Sequence, residues 1–385
     1  MGKRTIASPP PPIPRLPFMP SNMVEVILPS HKQQNNRSAI DQLRSCYLKY
    51  SSLVSLMVIL VIFLLLDWPK SSRHTLTVQT ESYSKIAIPI HEVIDEIDVL
   101  WAAPTKRESN KSSPCGILFV AHGCNHAHTD WFVKCPQGCL GLPEEVAIVD
   151  LALERNLVVV AVSSENRDFK CWLPEVDGPR VASVLQKISE KYAPASSLLP
   201  IWAFGASSGG ALVSVLGNYI KLQGYLSQIM ARPPEQTIPE SCIVYLTMEH
   251  DSMTRSMAKQ ILASRITDGR NAQHIRLPPL AISSPDFFSK RIGSVSNSNS
   301  ESMVQSLQQG GFLDSQGYLK DDPRGSDWRS AVQPFAESDT LMADQSAISE
   351  VMNAAYSMHE MSREGVAKGL DFCMSVLPSS SSACG

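Results

Sequence analysis

The segment that most constrains the fold is Gly205-Ala-Ser-Ser-Gly209, a G-x-S-x-G pattern in a chain of 385 residues. An apolar run from Ile201 to Phe204 precedes it, and a helix-like stretch from Ala211 to Ile220 follows it. A sharp turn between a strand and a helix strains the central serine, so the positions two before and two after it must be nearly free of side chain. The pattern predicts that Ser207 stands exposed at the tip of this turn. A turn that merely packs a helix on a sheet is the structural alternative.

Composition allows one large domain with flanking segments. With 43% apolar and 18% charged residues, the chain can bury a sizeable core. The net charge of −3, without long basic blocks, gives nucleic-acid binding no electrostatic support. The chain has neither a Walker-type loop nor a G-x-G-x-x-G motif, so we expect no nucleotide cofactor, and no other cofactor is indicated.

The N-terminal part predicts a tail followed by a membrane anchor. Residues 1–46, which include Pro9 to Pro12, are typical of a disordered proline-rich tail. Residues 47–68 contain an uncharged run from Tyr50 to Leu66, at the short end of what spans a bilayer. We therefore predict a single transmembrane helix. A cleaved signal peptide does not fit the long preceding tail, and a buried core helix does not fit the absence of partner helices nearby.

Three features favour a luminal or extracellular position for the rest of the chain. Basic residues are weakly biased towards the side before the anchor. Asn110-Lys-Ser112 is a glycosylation acceptor. Five cysteines crowd into one stretch, as disulfides in an oxidising compartment do, although their pairing stays open: Cys115, Cys124, Cys135, Cys139 and Cys171. We expect the protein in the secretory pathway, at the endoplasmic reticulum, Golgi or plasma membrane.

The remainder predicts alternating strands and helices, with a linker and first strands at 69–113 and the main domain at 114–378. Predicted strands are Gly116–Ala121, Leu157–Val162, Ile201–Phe204 and Cys242–Thr247, and predicted helices include Pro143–Arg155, Val181–Tyr192 and Met253–Ser264. This alternation implies an α/β fold, a mostly parallel central sheet with helices on both faces. In such sheets, chemistry gathers at the carboxyl ends of the strands.

From about residue 86 to 377, the chain resembles the α/β-hydrolase superfamily, and more closely plant proteins of that fold. The resemblance implies a nucleophile, an acid and a base in that order along the chain. Ser207 matches the nucleophile. Asp251 follows the strand that ends near Thr247, where the family places its acid, and His359 precedes a final amphipathic helix, where the family places its base. His359 would take the serine proton, and Asp251 would orient the imidazole.

For Asp251 and His359, the sequence leaves alternative assignments open. Asp251 is also suited to cap the helix that follows it, with Glu249 as the reserve acid. Competing histidines are His250, beside the proposed acid, and His274, in a linker-like segment.

The loop after the first buried strand supplies candidate oxyanion donors. His122-Gly-Cys-Asn125 is similar to the family's H-G loop, which implies the backbone amides of Gly123 or Cys124, together with that of Ser208. The loop departs from the H-G-G-G version, so the choice between the first two amides stays open.

The same loop contains a near match to a zinc-ligand run. His126, His128 and Asp130 nearly reproduce H-x-H-x-D-H, which gives a zinc-dependent hydrolase as an alternative. Trp131 occupies the closing position and the ligand count falls short, and Cys135-x-x-x-Cys139 lacks a second pair. We therefore expect no metal.

The spacing between acid and base predicts an insertion. The 108 positions from Asp251 to His359 exceed what the bare fold needs, so we predict a cap at about 270–345, before the last helix. Within it, Gly293 to Glu301 is rich in serine and asparagine and predicts a mobile loop. A partner-binding surface is the alternative use of the cap. Residues 379–385 predict a disordered tail.

Together these features predict a membrane-anchored serine hydrolase that cleaves a small-molecule or lipid ester, or a thioester, through an acyl-enzyme. A catalytically silent receptor or scaffold with the same fold is the alternative.

Overall fold

The computed structural model describes residues 87–105, 113–193, 198–232, 242–267, 271–337 and 339–376. The predicted tails at 1–46 and 379–385, the predicted anchor at 47–68 and the acceptor Asn110 lie outside these residues. Within the described ranges, no helix combines the length and the apolar character needed to cross a membrane.

Strands and helices alternate along most of the described chain. The strands are β1 (Ile90–Ile94), β2 (Ile97–Ala102), β3 (Gly116–Ala121), β4 (Leu157–Val162), β5 (Ile201–Ala206), β6 (Gly224–Gln228), β7 (Cys242–Met248) and β8 (Ala272–Leu277). The helices are α1 (Pro143–Glu154), α2 (Pro174–Glu190), α3 (Ser208–Val213), α4 (Ser252–Thr267), α5 (Asn297–Gln309), α6 (Trp328–Val332), α7 (Ala347–Tyr356) and α8 (Val366–Ser375). Short 3-10 turns occupy His128–Trp131, Leu216–Asn218 and Gln333–Phe335.

The strands form one sheet in the order β1-β2-β4-β3-β5-β6-β7-β8. Strands β3 to β8 pair in parallel, whereas β2 is antiparallel to both β1 and β4. Every residue of β3, β4 and β5 is buried, because helices cover both faces of the sheet and leave no side for polar residues. The predicted mostly parallel α/β sheet is confirmed.

Successive side chains of each strand belong to two separate cores, because they point to opposite faces of the sheet. In β3, Leu118 and Val120 pack in the core that includes α1 and α8. Ile117 and Phe119 pack in the core on the other face, with α2, α3 and α4.

The strand order reverses at β3, in the middle of the sheet. Strand β3 has β4 on one side and β5 on the other. The chain therefore adds its next strand on one side of β3 and the later strands on the other side. Such a reversal opens a cleft where ligands bind in α/β sheets. It brings the loop after β3 beside the turn after β5.

Two strands and several boundaries differ from the sequence predictions. Strands β6 and β8 were not predicted, and β8 contains His274, which the sequence had indicated for a linker. Since β8 belongs to the sheet, the inserted segment begins after Leu277 rather than at about 270. Helix α3 ends at Val213, short of the predicted Ile220, because the chain continues into a 3-10 turn.

The inserted segment has its own hydrophobic core, built from α5, α6, α7 and the chain between them. The predicted loop at Gly293 to Glu301 is wrong, because α5 begins at Asn297. The Ser296 hydroxyl accepts a hydrogen bond from the Asn299 amide at 3.2 Å and caps this helix. The buried residues of α5 recur at helical intervals and are Ser300, Met303, Val304 and Leu307.

Candidate active site

The turn between β5 and α3 holds Ser207 in a strained conformation, with φ 52° and ψ −118°. Its amide donates to the carbonyl of Gln228 at 3.0 Å, which fixes the turn to β6. A Cβ atom on Gly205 would collide with the carbonyl of Gly209, and one on Gly209 would lie 2.5 Å from the carbonyl oxygen of His122. Both flanking glycines are therefore required by packing.

The structure brings Ser207, His359 and Asp251 into one hydrogen-bonded chain. The distance from Ser207 Oγ to His359 Nε2 is 3.1 Å, and that from His359 Nδ1 to Asp251 Oδ2 is also 3.1 Å. Since a carboxylate only accepts hydrogen bonds, Nδ1 carries the ring proton and Nε2 is left to accept from the serine hydroxyl. This is the tautomer that a general base requires.

The contacts of Asp251 fit both of the roles that the sequence left open. Its Oδ1 accepts from the amide of Thr254 at 3.1 Å, which caps α4, while Oδ2 accepts from the Thr254 hydroxyl at 2.8 Å and faces His359. Burial alone would raise the pKa of Asp251, but the hydrogen bonds from Thr254 and His359 outweigh it and hold the pKa below its ordinary value. The carboxylate is thus ionised and oriented at neutral pH.

The competing acid and histidines have other partners. The Glu249 carboxylate lies against Arg276 at 2.6 Å and Arg255 at 2.7 Å. His250 stacks on the ring of Tyr356, with 4.4 Å between ring centroids. On β8, His274 pairs with the hydroxyl of Thr247 at 2.7 Å.

The loop that presents His359 is fastened on both sides by buried polar side chains. Before it, the Ser357 hydroxyl donates to the carbonyl of Leu277 at 2.7 Å and accepts from the amide of Glu249 at 2.8 Å. After it, the side-chain amide of Gln228 donates to the carbonyl of Ser362 at 2.9 Å and accepts from its amide at 3.0 Å. Ser357 and Gln228 were not predicted from the sequence, because neither stands in a motif.

His122 is a neutral, buried side chain that orients the loop after β3. Its Nε2 accepts from the amide of Ser164 at 3.2 Å, so Nδ1 carries the proton and donates to the carbonyl of Gly123 at 2.6 Å. Burial lowers the pKa of His122 to about 3. The Trp172 indole donates to the carbonyl of His122 at 2.8 Å, so both peptide planes that carry the Gly123 and Cys124 amides are held.

A disulfide between Cys124 and Cys171 joins the same loop to the segment that carries Trp172. An added Cβ on Gly123 would meet its nearest atom at 3.7 Å, an ordinary contact, so packing does not require glycine there. Ser208 is the first residue of α3, and its amide is among the helix donors that have no intrahelical partner.

His126 and His128, which follow this loop, form hydrogen bonds with other side chains of the protein. His126 Nδ1 lies 3.0 Å from Asp130 Oδ2, and His128 Nδ1 lies 2.7 Å from the hydroxyl of Ser163. Burial alone would lower the pKa of His126, but the bond to Asp130 and nearby carboxylates raise it to about 9. In the ranges that the structure describes, no three His, Cys, Asp or Glu side chains are grouped to hold a metal ion. Cys135 and Cys139, which lacked a second pair for a zinc site, form a disulfide.

The inserted segment contacts the site from two sides. Arg324 donates to the carbonyl oxygens of Met358 at 2.8 Å and His359 at 2.9 Å. Asp344 accepts from the side-chain amide of Asn125, in the loop after β3, at 3.0 Å. Neither residue had a local sequence signal, since each partner is distant along the chain.

The topology and the serine turn identify the fold. Its defining arrangement is a strand, a strained turn that carries a serine, and a helix, at the carboxyl edge of a mostly parallel sheet. Here Ser207 in that turn is half-buried. The chain has the α/β-hydrolase fold.

Comparison with known proteins adds little beyond the fold. A scan against protein-family models gives no match, and a search of curated proteins gives no significant one. Among solved structures, an α/β serine hydrolase without a lid from Xanthomonas campestris is similar over 51% of this chain and 85% of its own, with 10% identity and a TM-score of 0.34.

Two further solved structures are similar to a comparable extent. An esterase from Pyrococcus furiosus matches 51% of this chain and 83% of its own, with 9% identity and a TM-score of 0.36. An S-formylglutathione hydrolase from Agrobacterium tumefaciens matches 49% and 85%, with 12% identity and a TM-score of 0.33. At such identities and scores, the fold assignment rests on this chain's own strand order and serine turn.

Proposed function

We propose that the protein is a serine hydrolase that cleaves carboxylic esters or thioesters through an acyl-enzyme, with Ser207, His359 and Asp251 as its catalytic residues. The observation that carries the proposal is the hydrogen-bonded chain from Ser207 Oγ through both ring nitrogens of His359 to Asp251. A turn that only packed a helix would need neither the imidazole nor the buried carboxylate beside the hydroxyl.

The geometry supports the usual steps of acyl transfer. His359 Nε2 accepts the hydroxyl proton as Ser207 Oγ attacks the substrate carbonyl, and Asp251 stabilises the imidazolium that forms. When the tetrahedral intermediate collapses, the imidazolium gives that proton to the leaving alcohol or thiol. Water, deprotonated in turn by His359, then attacks the acyl-serine and releases the acid.

For the oxyanion donors, we propose the backbone amides of Cys124 and Ser208. His122 holds the carbonyl of Gly123 towards its buried ring, and in a trans peptide the Cys124 N–H points the opposite way. The Ser208 amide begins α3 directly after the nucleophile. Two fixed amides cost no reorganisation when charge develops on the substrate oxygen.

A fluorophosphonate probe tests the catalytic proposal. The purified full-length protein should be labelled, and tandem mass spectrometry should place the adduct on Ser207 rather than on the neighbouring Ser208. Ser207→Ala should abolish labelling, and His359→Ala should reduce its rate by several orders of magnitude. If the wild type unfolds cooperatively but is never labelled, that result would favour the alternative function of a catalytically silent receptor or scaffold.

The substrate class within this proposal is a small-molecule or lipid ester, or a thioester. Initial rates on p-nitrophenyl esters of increasing acyl length, and on an acyl thioester of matched length, would separate these options. A preference that rises with acyl length would indicate an apolar acyl site, whereas a preference for acetate would indicate a small substrate.

We also propose that residues 47–68 anchor the chain in a secretory membrane, with the hydrolase domain luminal or extracellular. The described residues form three disulfides, Cys124–Cys171, Cys135–Cys139 and Cys242–Cys373, and the last joins β7 to α8. Such bonds persist in oxidising compartments and are rare in the cytosol. Endoglycosidase should shift the mobility of the wild type but not of Asn110→Gln. A domain accessible to protease in sealed microsomes would contradict this placement.

A further inference from the structure

Arg324, on the inserted segment, holds the backbone of the loop that carries the proposed base. Its Nη1 donates to the carbonyl of Met358 at 2.8 Å, and its Nη2 donates to the carbonyl of His359 at 2.9 Å. Nη2 also lies 3.3 Å from the carboxylate of Glu360. One guanidinium therefore contacts three consecutive residues centred on His359.

The backbone at His359 is strained and needs such support. Its φ of 42° falls in the left-handed region, which non-glycine residues rarely adopt and which persists only when the surroundings enforce it. A planar guanidinium presents several donors in a fixed fork and can bridge neighbouring carbonyl groups, which a lysine ammonium cannot do in the same way. The direction of the imidazole depends on this backbone conformation.

Arg324 is itself held by the core of the inserted segment. It lies in a turn where its amide donates to Asp322 Oδ1 at 3.0 Å. The indole of Trp328, fully buried in that core, donates to the carbonyl of Pro323 at 2.9 Å. On the other side, Asn353 of α7 donates to the Glu360 carboxylate at 2.9 Å. The contact is thus continuous from the core of the insert to the base.

We propose that Arg324 is a positioning residue, which acts through the His359 backbone to aim the imidazole at Ser207. In this role the inserted segment helps to assemble the site. This inference rests on the proposed serine hydrolase function. It implies that the rate of the chemical step, rather than substrate affinity, depends on Arg324.

The kinetics of fluorophosphonate inactivation of the full-length protein test this role. We expect Arg324→Ala to lower kinact by roughly tenfold to a hundredfold, as misplacement of a reacting group does, with KI changed by less than about twofold. Arg324→Lys should recover only part of the loss. Because kinact is a rate constant, it does not depend on the fraction of protein that is folded. If Arg324→Ala does not fold, Arg324→Lys is used for the same measurement.

Arg329→Ala is the matched control in the same segment. Arg329 donates to the carbonyl of Leu341 at 2.7 Å and stacks over the ring of Trp328, so its loss should lower thermal stability and leave kinact unchanged. Equal losses of kinact in both variants, or a wild-type kinact in Arg324→Ala or Arg324→Lys, would overturn the inference. An unreactive wild type would instead refute the proposed function, and the inference with it.

Discussion

Gly209→Ala is the substitution for which the structure gives the sharpest expectation. A Cβ atom there would lie 2.5 Å from the carbonyl oxygen of His122 and would also strike the carbonyl of Ala121. Ordinary contact begins at 3.4 Å, so α3 must retreat by about 0.9 Å from the loop after β3. Both obstacles are backbone atoms of a buried strand end and cannot rotate away.

The expected cost has a part in stability and a part in reactivity. Overpacking of this kind typically costs about 1–3 kcal/mol, which for a domain of this size lowers Tm by several degrees. The same movement separates the Ser208 amide from the Cys124 amide, between which the oxyanion is proposed to sit. A displacement near 1 Å can reduce the rate roughly a hundredfold.

Thermal unfolding and the fluorophosphonate rate constant measure the two parts separately. Gly293→Ala is the control, because an added Cβ there meets nothing within 4 Å, and we expect it to match the wild type in both measurements. If Gly209→Ala retained the wild-type Tm and the wild-type rate constant, close approach of the helix start to the loop after β3 would not be what demands glycine.

Three further outcomes are expected. Asp251→Asn should lower the inactivation rate constant by roughly 10³- to 10⁴-fold, because an amide favours the wrong imidazole tautomer. Replacement of both Cys124 and Cys171 by alanine should lower that constant roughly tenfold while circular dichroism stays native, because the disulfide restrains the loop of the proposed donor. Since burial lowers the pKa of His122 to about 3, the unfolded chain binds a proton that the folded protein excludes between pH 6.5 and 3. Stability should therefore fall as the pH drops through this window, and His122→Gln should flatten the fall by up to about 1.4 kcal/mol per pH unit in urea titrations.

The sheet was predictable where burial alone shapes the sequence. Strands β3 and β4 are continuous apolar runs, and the predicted bounds equal the observed ones. Strand β6 was missed because Gly224, Ser227 and Gln228 interrupt its apolar character. Gly224 is small because its neighbour β7 approaches closely at Cys242, and Gln228 is polar because it binds the backbone of Ser362. Both reasons are tertiary and leave no trace in a local pattern.

Helix α5 shows a different limit. Serine and asparagine are poor helix formers, and their density from Gly293 to Glu301 favoured a loop. The structure uses one of these serines, Ser296, as the helix cap and buries another, Ser300, whose hydroxyl donates to the carbonyl of Pro285 at 2.7 Å. A composition rule cannot distinguish capping serines from solvated ones; the deciding information is the apolar spacing of Met303, Val304 and Leu307 further along.

The inserted segment was predicted from the length of chain between Asp251 and His359. That length shows that additional chain is present, but it does not show which residues the additional chain contacts. In the structure it meets the site twice, through Arg324 at the carbonyl of His359 and through Asp344 at Asn125. His126, next to Asn125, has its pKa raised to about 9 and is therefore cationic at neutral pH; its Nε2 lies 3.8 Å from Asp344. One contact supports the loop of the proposed base and the other the loop of a proposed oxyanion donor. A cover that served only to exclude water would need neither contact, so we expect loss of either of these two contacts to impair the chemical step itself.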